Sequence, residues 1–143
     1  MITQKEFTTE NSNQTQKLGQ TLADELRGGE VICLSGELGA GKTTFTQGLL
    51  RGLGVEGPYT SPTFVIMKHY KNQNNNIYHL DAYRVSGNDI IDLGWKEIAG
   101  DKSNVIIVEW ADRIAGIIPK DALWIEFEWK DENRRKIVFK SKI

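Results

Sequence analysis

The chain is short of cysteine, proline, net charge and long apolar runs, and each shortage removes a class of protein. A single cysteine, Cys33, rules out an internal disulfide framework. Its place inside the apolar run Val31-Ile32-Cys33-Leu34 fits a core thiol rather than a reactive one. With a mean hydropathy of -0.41 and no long apolar stretch, no membrane-spanning helix is expected. Met1 to Glu10 lacks the apolar core of a secretory signal, so the expected compartment is the cytoplasm, with no membrane partner. The glycosylation acceptor pattern Asn13-Gln14-Thr15 therefore carries no meaning. A net charge of -1 gives no general attraction to nucleic acid, and any contact with RNA is expected to be indirect. His69 and His79 have no Cys, His or acidic neighbours at ligand spacing, which argues against zinc and leaves them as strand residues. The 143 residues fit one domain, 1–143, with one core.

What is present centres on Gly36-Glu37-Leu38-Gly39-Ala40-Gly41-Lys42-Thr43, a complete G-x-x-x-x-G-K-[ST] pattern, or Walker A. An apolar strand leads in and a helix-compatible run, Thr43 to Leu53, leads out. Glycines allow such a loop to curl its N–H groups around one anion. The positive end of the following helix favours polyphosphate there. In this pattern Lys42 reaches the β and γ phosphates, and the Thr43 hydroxyl is placed to hold Mg²⁺.

Around that loop the pattern predicts a mixed α/β order. Ile2 to Thr8 reads as an edge strand; Asn11 or Ser12 caps a helix carrying Leu18, Leu22 and Leu26, which ends at Gly28-Gly29. Val31 to Ser35 is a buried strand, and the P-loop helix buries Phe45, Leu49 and Leu53 before Gly54. Val55 to Thr63, with Gly57, Pro58, Ser61 and Pro62, is a loop. Phe64 to Tyr70 and Ile77 to Asp81 form an antiparallel pair across the polar tract Lys71 to Asn76. Asn88 to Ile98 is helical with a break at Gly94, and the β-branched run Val105 to Val108 is a central strand covered on both faces. Leu123 to Phe127 and Lys136 to Lys140 make a closing hairpin around Asp131-Glu132-Asn133. The expected fold is a three-layer, P-loop NTPase-like α/β domain with a mixed central sheet and a C-terminal β-hairpin.

A P-loop needs an acid near its metal, usually at the end of a neighbouring strand. Val105-Ile106-Ile107-Val108-Glu109 has that layout, with Glu in place of the commoner Asp, so Glu109 is the first candidate to hold Mg²⁺. Ile77-Tyr78-His79-Leu80-Asp81 also ends in an acid, and Asp81 is the candidate to orient an attacking water or support the metal. Either acid could instead be a charge pointing into water. Thr63, in Ser61-Pro62-Thr63, stands where P-loop GTPases keep a nucleotide-sensing switch, and Trp110 could wall the site, face a partner or serve as a core or rim aromatic. Arg84, Arg113, Arg134 and Arg135 read as surface charge by default. A small-molecule P-loop kinase is the alternative, although the chain leaves little room for an acceptor domain. The guanine-reading [NT]-K-x-D segment of GTPases is missing.

Four blocks in order, the P-loop through Thr44, Ser61-Pro62-Thr63-Phe64, His79-Leu80-Asp81-Ala82-Tyr83-Arg84 and Val108-Glu109-Trp110-Ala111-Asp112-Arg113, resemble the TsaE family. These are P-loop ATPase subunits of the bacterial machinery that installs threonylcarbamoyl on adenosine 37 of tRNAs reading codons that begin with A. The resemblance implies an ATPase of low activity alone, which joins a two-subunit threonylcarbamoyl transferase and drives its cycle without making the modification. It also implies that Lys42 holds ATP phosphate, that Thr43 and Glu109 hold Mg²⁺, and that Asp81 supports hydrolysis. Thr44, Thr63 and Trp110 match further nucleotide-site positions of the family motifs.

Overall fold

The computed structural model describes residues 2–37, 39–57 and 67–142; Leu38 and Thr63 lie outside them. In chain order the elements are β1 (Ile2–Thr9), α1 (Ser12–Ala23), β2 (Val31–Gly36), α2 (Lys42–Gly52), β3 (Met67–Lys71), β4 (Asn76–Asp81), α3 (Gly87–Asp92), α4 (Trp95–Gly100) and β5 (Asn104–Glu109). A 3₁₀ helix, Ala111–Ile117, then leads to β6 (Leu123–Trp129) and β7 (Arg135–Lys142). All seven strands join one sheet in the order β1-β7-β6-β2-β5-β4-β3. The centre, β6-β2-β5-β4, is parallel, and β1, β7 and β3 attach antiparallel at the two sides.

Strand periodicity sorts the apolar residues into two cores. Ile32, Leu34, Val105, Ile107 and Ile77 face α1 and α2, where Leu22, Phe45, Leu49 and Leu50 cover them. Val31, Cys33, Ile106, Val108 and Leu80 face the other way, onto Ile90, Trp95, Ala111 and Ile114. The expected three-layer arrangement with a mixed sheet and a closing hairpin is therefore what the chain forms. Complete burial pushes the Cys33 thiol up to about 12, as a core thiol requires.

Two features position the P-loop helix. α1 and α2 lie so close that a Cβ on Gly48 would run into the Gln16 carbonyl, so this crossing needs glycine. At the start of α1, Asn11 caps the helix by accepting the Gln14 N–H, and the buried hydroxyls of Thr9 and Thr15 meet at 2.7 Å. The predicted break at Gly94 is also real: Gly94 takes φ 95° and ends α3 just before α4 begins. The 3₁₀ helix after β5 has no counterpart in the sequence reading, because its short apolar spacing does not fill one helical face. Among the described residues, no helix is long and apolar enough to cross a membrane.

Candidate functional site

The site begins where β2 ends. Gly41, at φ 105°, is the N-cap of α2 and supplies no side chain to it, so the first turn presents its N–H groups to the loop. Lys42 folds back beneath that loop, and its ammonium donates to the carbonyls of Gly36 and Glu37. Only 6% of Lys42 is exposed, and burial lowers its pKa while the negative charges of Glu109, Asp112 and Asp81 act to raise it. Thr43 is exposed and Thr44 half-buried; both line a cleft of about 230 Å³ together with Gly39, Gly41 and Lys42. Glu37 is exposed and Ala40 is buried, and neither is among the cleft-lining residues.

Glu109 and Asp81 sit side by side at the ends of β5 and β4, paired in register. Their environments differ. Glu109 is 5% exposed, lines the cleft, and accepts a 2.9 Å hydrogen bond from His79 Nε2. Asp81 is half-buried, spends one oxygen on the Tyr83 N–H at 2.9 Å, and is not among the cleft-lining residues. Glu109 is thus not a charge directed into water, whereas Asp81 is partly committed to its own turn.

Trp110 wastes no space between these groups. Its backbone takes φ 58°, a costly conformation for a bulky residue, and the indole wall of the cleft lies 4.2 Å from the Lys42 ammonium. On its outer side Trp110 meets the Tyr83 ring at 4.9 Å, and the Arg113 guanidinium lies 4.8 Å from the same ring. Of the readings offered for Trp110, the structure gives a half-buried rim aromatic that lines the cleft.

Several lining residues escaped the sequence reading. Asn11, Ser12 and Thr15 reach the cleft from the start of α1, and Glu132, Asn133 and Arg135 from the β6–β7 turn. Arg135, read as surface charge, donates through Nε to the Gly39 carbonyl at 3.2 Å and so touches the P-loop itself. No spacing rule links positions this far apart; only the pairing of β6 beside β2 brings the hairpin to the loop. Asp131 holds that turn by accepting N–H groups of Asn133 and Arg134, and these bonds pull its carboxyl down to about 2.

No group of three or more His, Cys, Asp or Glu side chains able to hold a metal occurs among the described residues. The Thr43 hydroxyl and the Glu109 carboxylate both line the cleft and are oxygen donors of the kind Mg²⁺ takes alongside phosphate oxygens and water.

The family model described as threonylcarbamoyl adenosine biosynthesis protein TsaE matches residues 9–137, which include every block quoted above. The chain belongs to the TsaE family. Among the family's named proteins, the tRNA threonylcarbamoyladenosine biosynthesis protein TsaE of Aquifex aeolicus is 39% identical over 135 residues, covering 93% of each chain. That of Bacillus subtilis is 37% identical, over 95% of this chain and 85% of its own. The crystal structure of Bacillus subtilis YdiB superposes with a TM-score of 0.80 at 33% identity, covering 99% of this chain and 87% of that one. Membership ties the chain to tRNA threonylcarbamoyladenosine biosynthesis and its fold to the P-loop NTPase group.

Proposed function

We propose that this chain is the ATP-binding, weakly hydrolysing subunit that supports threonylcarbamoylation of adenosine 37 in tRNA by a two-subunit transferase. The observation that carries the reading is Lys42, buried under a glycine loop and facing Glu109 across the cleft. Lys42 exchanges its carbonyl partners for the β and γ phosphates, while the N–H groups at the start of α2 hold the same anion. Thr43 and Glu109 would hold Mg²⁺, which would neutralise charge on the phosphates. Asp81 orients the attacking water from the neighbouring strand end, and Trp110 shields Lys42 from solvent. The lack of an [NT]-K-x-D segment favours adenine over guanine.

Slow turnover alone follows from the same arrangement. Arg135, the arginine bonded to the P-loop among the described residues, donates to the Gly39, Asp131 and Arg134 carbonyls. An arginine finger is worth about 10³ to 10⁵ in rate where one is used, so completion of the site by partners is expected to accelerate hydrolysis. Net charge of -1 leaves the grip on tRNA to the transferase subunits. The test is reconstitution of the chain with the transferase pair, tRNA and threonylcarbamoyl donor, scoring phosphate release and repeated rounds of modification. Faster release with partners, and repeated modification only with this chain, are the expected results. Equal rates without partners, or equal modification without this chain, would overturn the proposal.

A further inference from the structure

We infer that His79 is a positioning residue: it holds Glu109 by one oxygen, keeps that acid from collapsing onto Lys42, and thereby sets the affinity of the site for a divalent cation. The inference rests on the reading of the cleft as a Mg²⁺–nucleotide site. His79 stands in a row that should be apolar. The register pairs Ile77 with Val105, His79 with Ile107 and Asp81 with Glu109, all on the face beneath α1 and α2. An aliphatic residue at 79 would pack there without desolvating a polar ring, so an imidazole that is only 3% exposed needs compensation.

The compensation is the 2.9 Å bond to Glu109 Oε2. A carboxylate can only accept, so Nε2 carries the proton; Nδ1 has no partner among the described residues. With Oε2 engaged, the remaining oxygen of Glu109 is the one left for the cleft. The Glu109 carboxylate's hydrogen bond among the described residues is with His79, while the Lys42 ammonium is bonded to the Gly36 and Glu37 carbonyls. His79 therefore separates the acid meant for metal from the cation meant for phosphate, and both stay available to ligand. Groups that orient metal-binding carboxylates typically change metal affinity about 10- to 100-fold when removed.

Two variants separate positioning from packing. His79→Leu fills the space without a donor, whereas His79→Gln carries an amide N–H the same number of bonds from Cα as the imidazole Nε2. Calorimetric titration of ATP over a series of Mg²⁺ concentrations, and again in EDTA, gives the Mg²⁺ requirement and the metal-free affinity separately. His79→Leu is expected to raise the Mg²⁺ needed for half-maximal tightening by at least ~10-fold while leaving metal-free ATP affinity in place, and His79→Gln to restore the wild-type requirement. Nitrogen-15 NMR of the metal-free wild-type chain provides a readout independent of nucleotide: His79 should carry its proton on Nε2 with Nδ1 bare. An unchanged Mg²⁺ requirement in His79→Leu, an equal loss in His79→Gln, or a proton on Nδ1 alone would overturn the inference and leave the functional reading standing. If the wild-type chain shows no Mg²⁺-dependent ATP binding, it is the functional reading that falls, and the inference with it. Circular dichroism checks the fold of both variants; should His79→Leu not fold, the Gln variant and the NMR result decide.

Discussion

The two faces of the central sheet are built from alternate residues of the same strands, yet only one of them ends in acids and an imidazole. On the face toward α3, α4 and the 3₁₀ helix, Val31 and Cys33 lead to Ser35, Ile106 and Val108 reach the end of β5, and Leu80 leads to Ala82 just past β4, with no carboxylate or imidazole among them. On the face toward α1 and α2, Ile32 and Leu34 lead to Gly36, Val105 and Ile107 lead to Glu109, and Ile77 leads to His79 and Asp81. Hydrophobic burial drives both faces equally, and the last one or two residues of each strand make the difference. Polar groups collected at the carboxyl ends of parallel strands, beside a helix N-terminus, are where open α/β sheets take their ligands. One face is therefore support and the other is support that ends in a site.

The sharpest way to break that comparison is to damage each face in turn. Leu80→Ala removes a side chain that is 1% exposed on the supporting face, and should cost about 2–5 kcal/mol in denaturant unfolding with no loss of ATP affinity in the folded fraction. A drop in affinity there would mean the faces are not separable. Glu109→Gln on the other face should cut partner-stimulated hydrolysis about 10²- to 10³-fold, or ~2.7–4 kcal/mol, while metal-free ATP binding is retained; phosphate release measures it. Asp81→Asn should act in the same direction but less, because its carboxylate is shared with the Tyr83 N–H and stands off the cleft.

The smallest effect concerns Cys33. With its pKa raised from 9.0 to about 12, the folded chain keeps the thiol proton longer than the unfolded chain. Its contribution to stability is then complete below 9.0 and is lost as pH rises through about 12. Accordingly, the stability difference between wild type and Cys33→Ala should narrow above about pH 9, and native Cys33 should resist alkylation until the chain is denatured.

The sequence made the P-loop legible because its spacing is set by one anion, and it made β5 legible because a continuous β-branched run has few alternatives. The acids were found by their place at strand ends, but the contrast between Glu109 and Asp81 was not. That contrast depends on which neighbour each oxygen meets, His79 in one case and the Tyr83 N–H in the other. Arg135 and Asn11 were missed for a related reason. Arg135 approaches the loop because β6 pairs parallel with β2, and Asn11 because α1 packs on α2, both contacts between segments distant in sequence. The 3₁₀ helix after Trp110 escaped because periodicity over so few residues cannot be told from a loop.

The central claim is that Lys42 is a phosphate ligand held ready by the loop rather than a buried structural cation. Calorimetric titration of Mg·ATP into the wild-type chain and into Lys42→Ala tests it directly, with circular dichroism confirming that both are folded. The account predicts one saturable site in the wild type and an affinity about 10- to 150-fold weaker in the variant, as expected when a hydrogen bond to a charged group worth ~1.5–3 kcal/mol is lost. Equal affinity in the two chains, or a Lys42→Ala variant that binds Mg·ATP as before and is merely less stable, would contradict it.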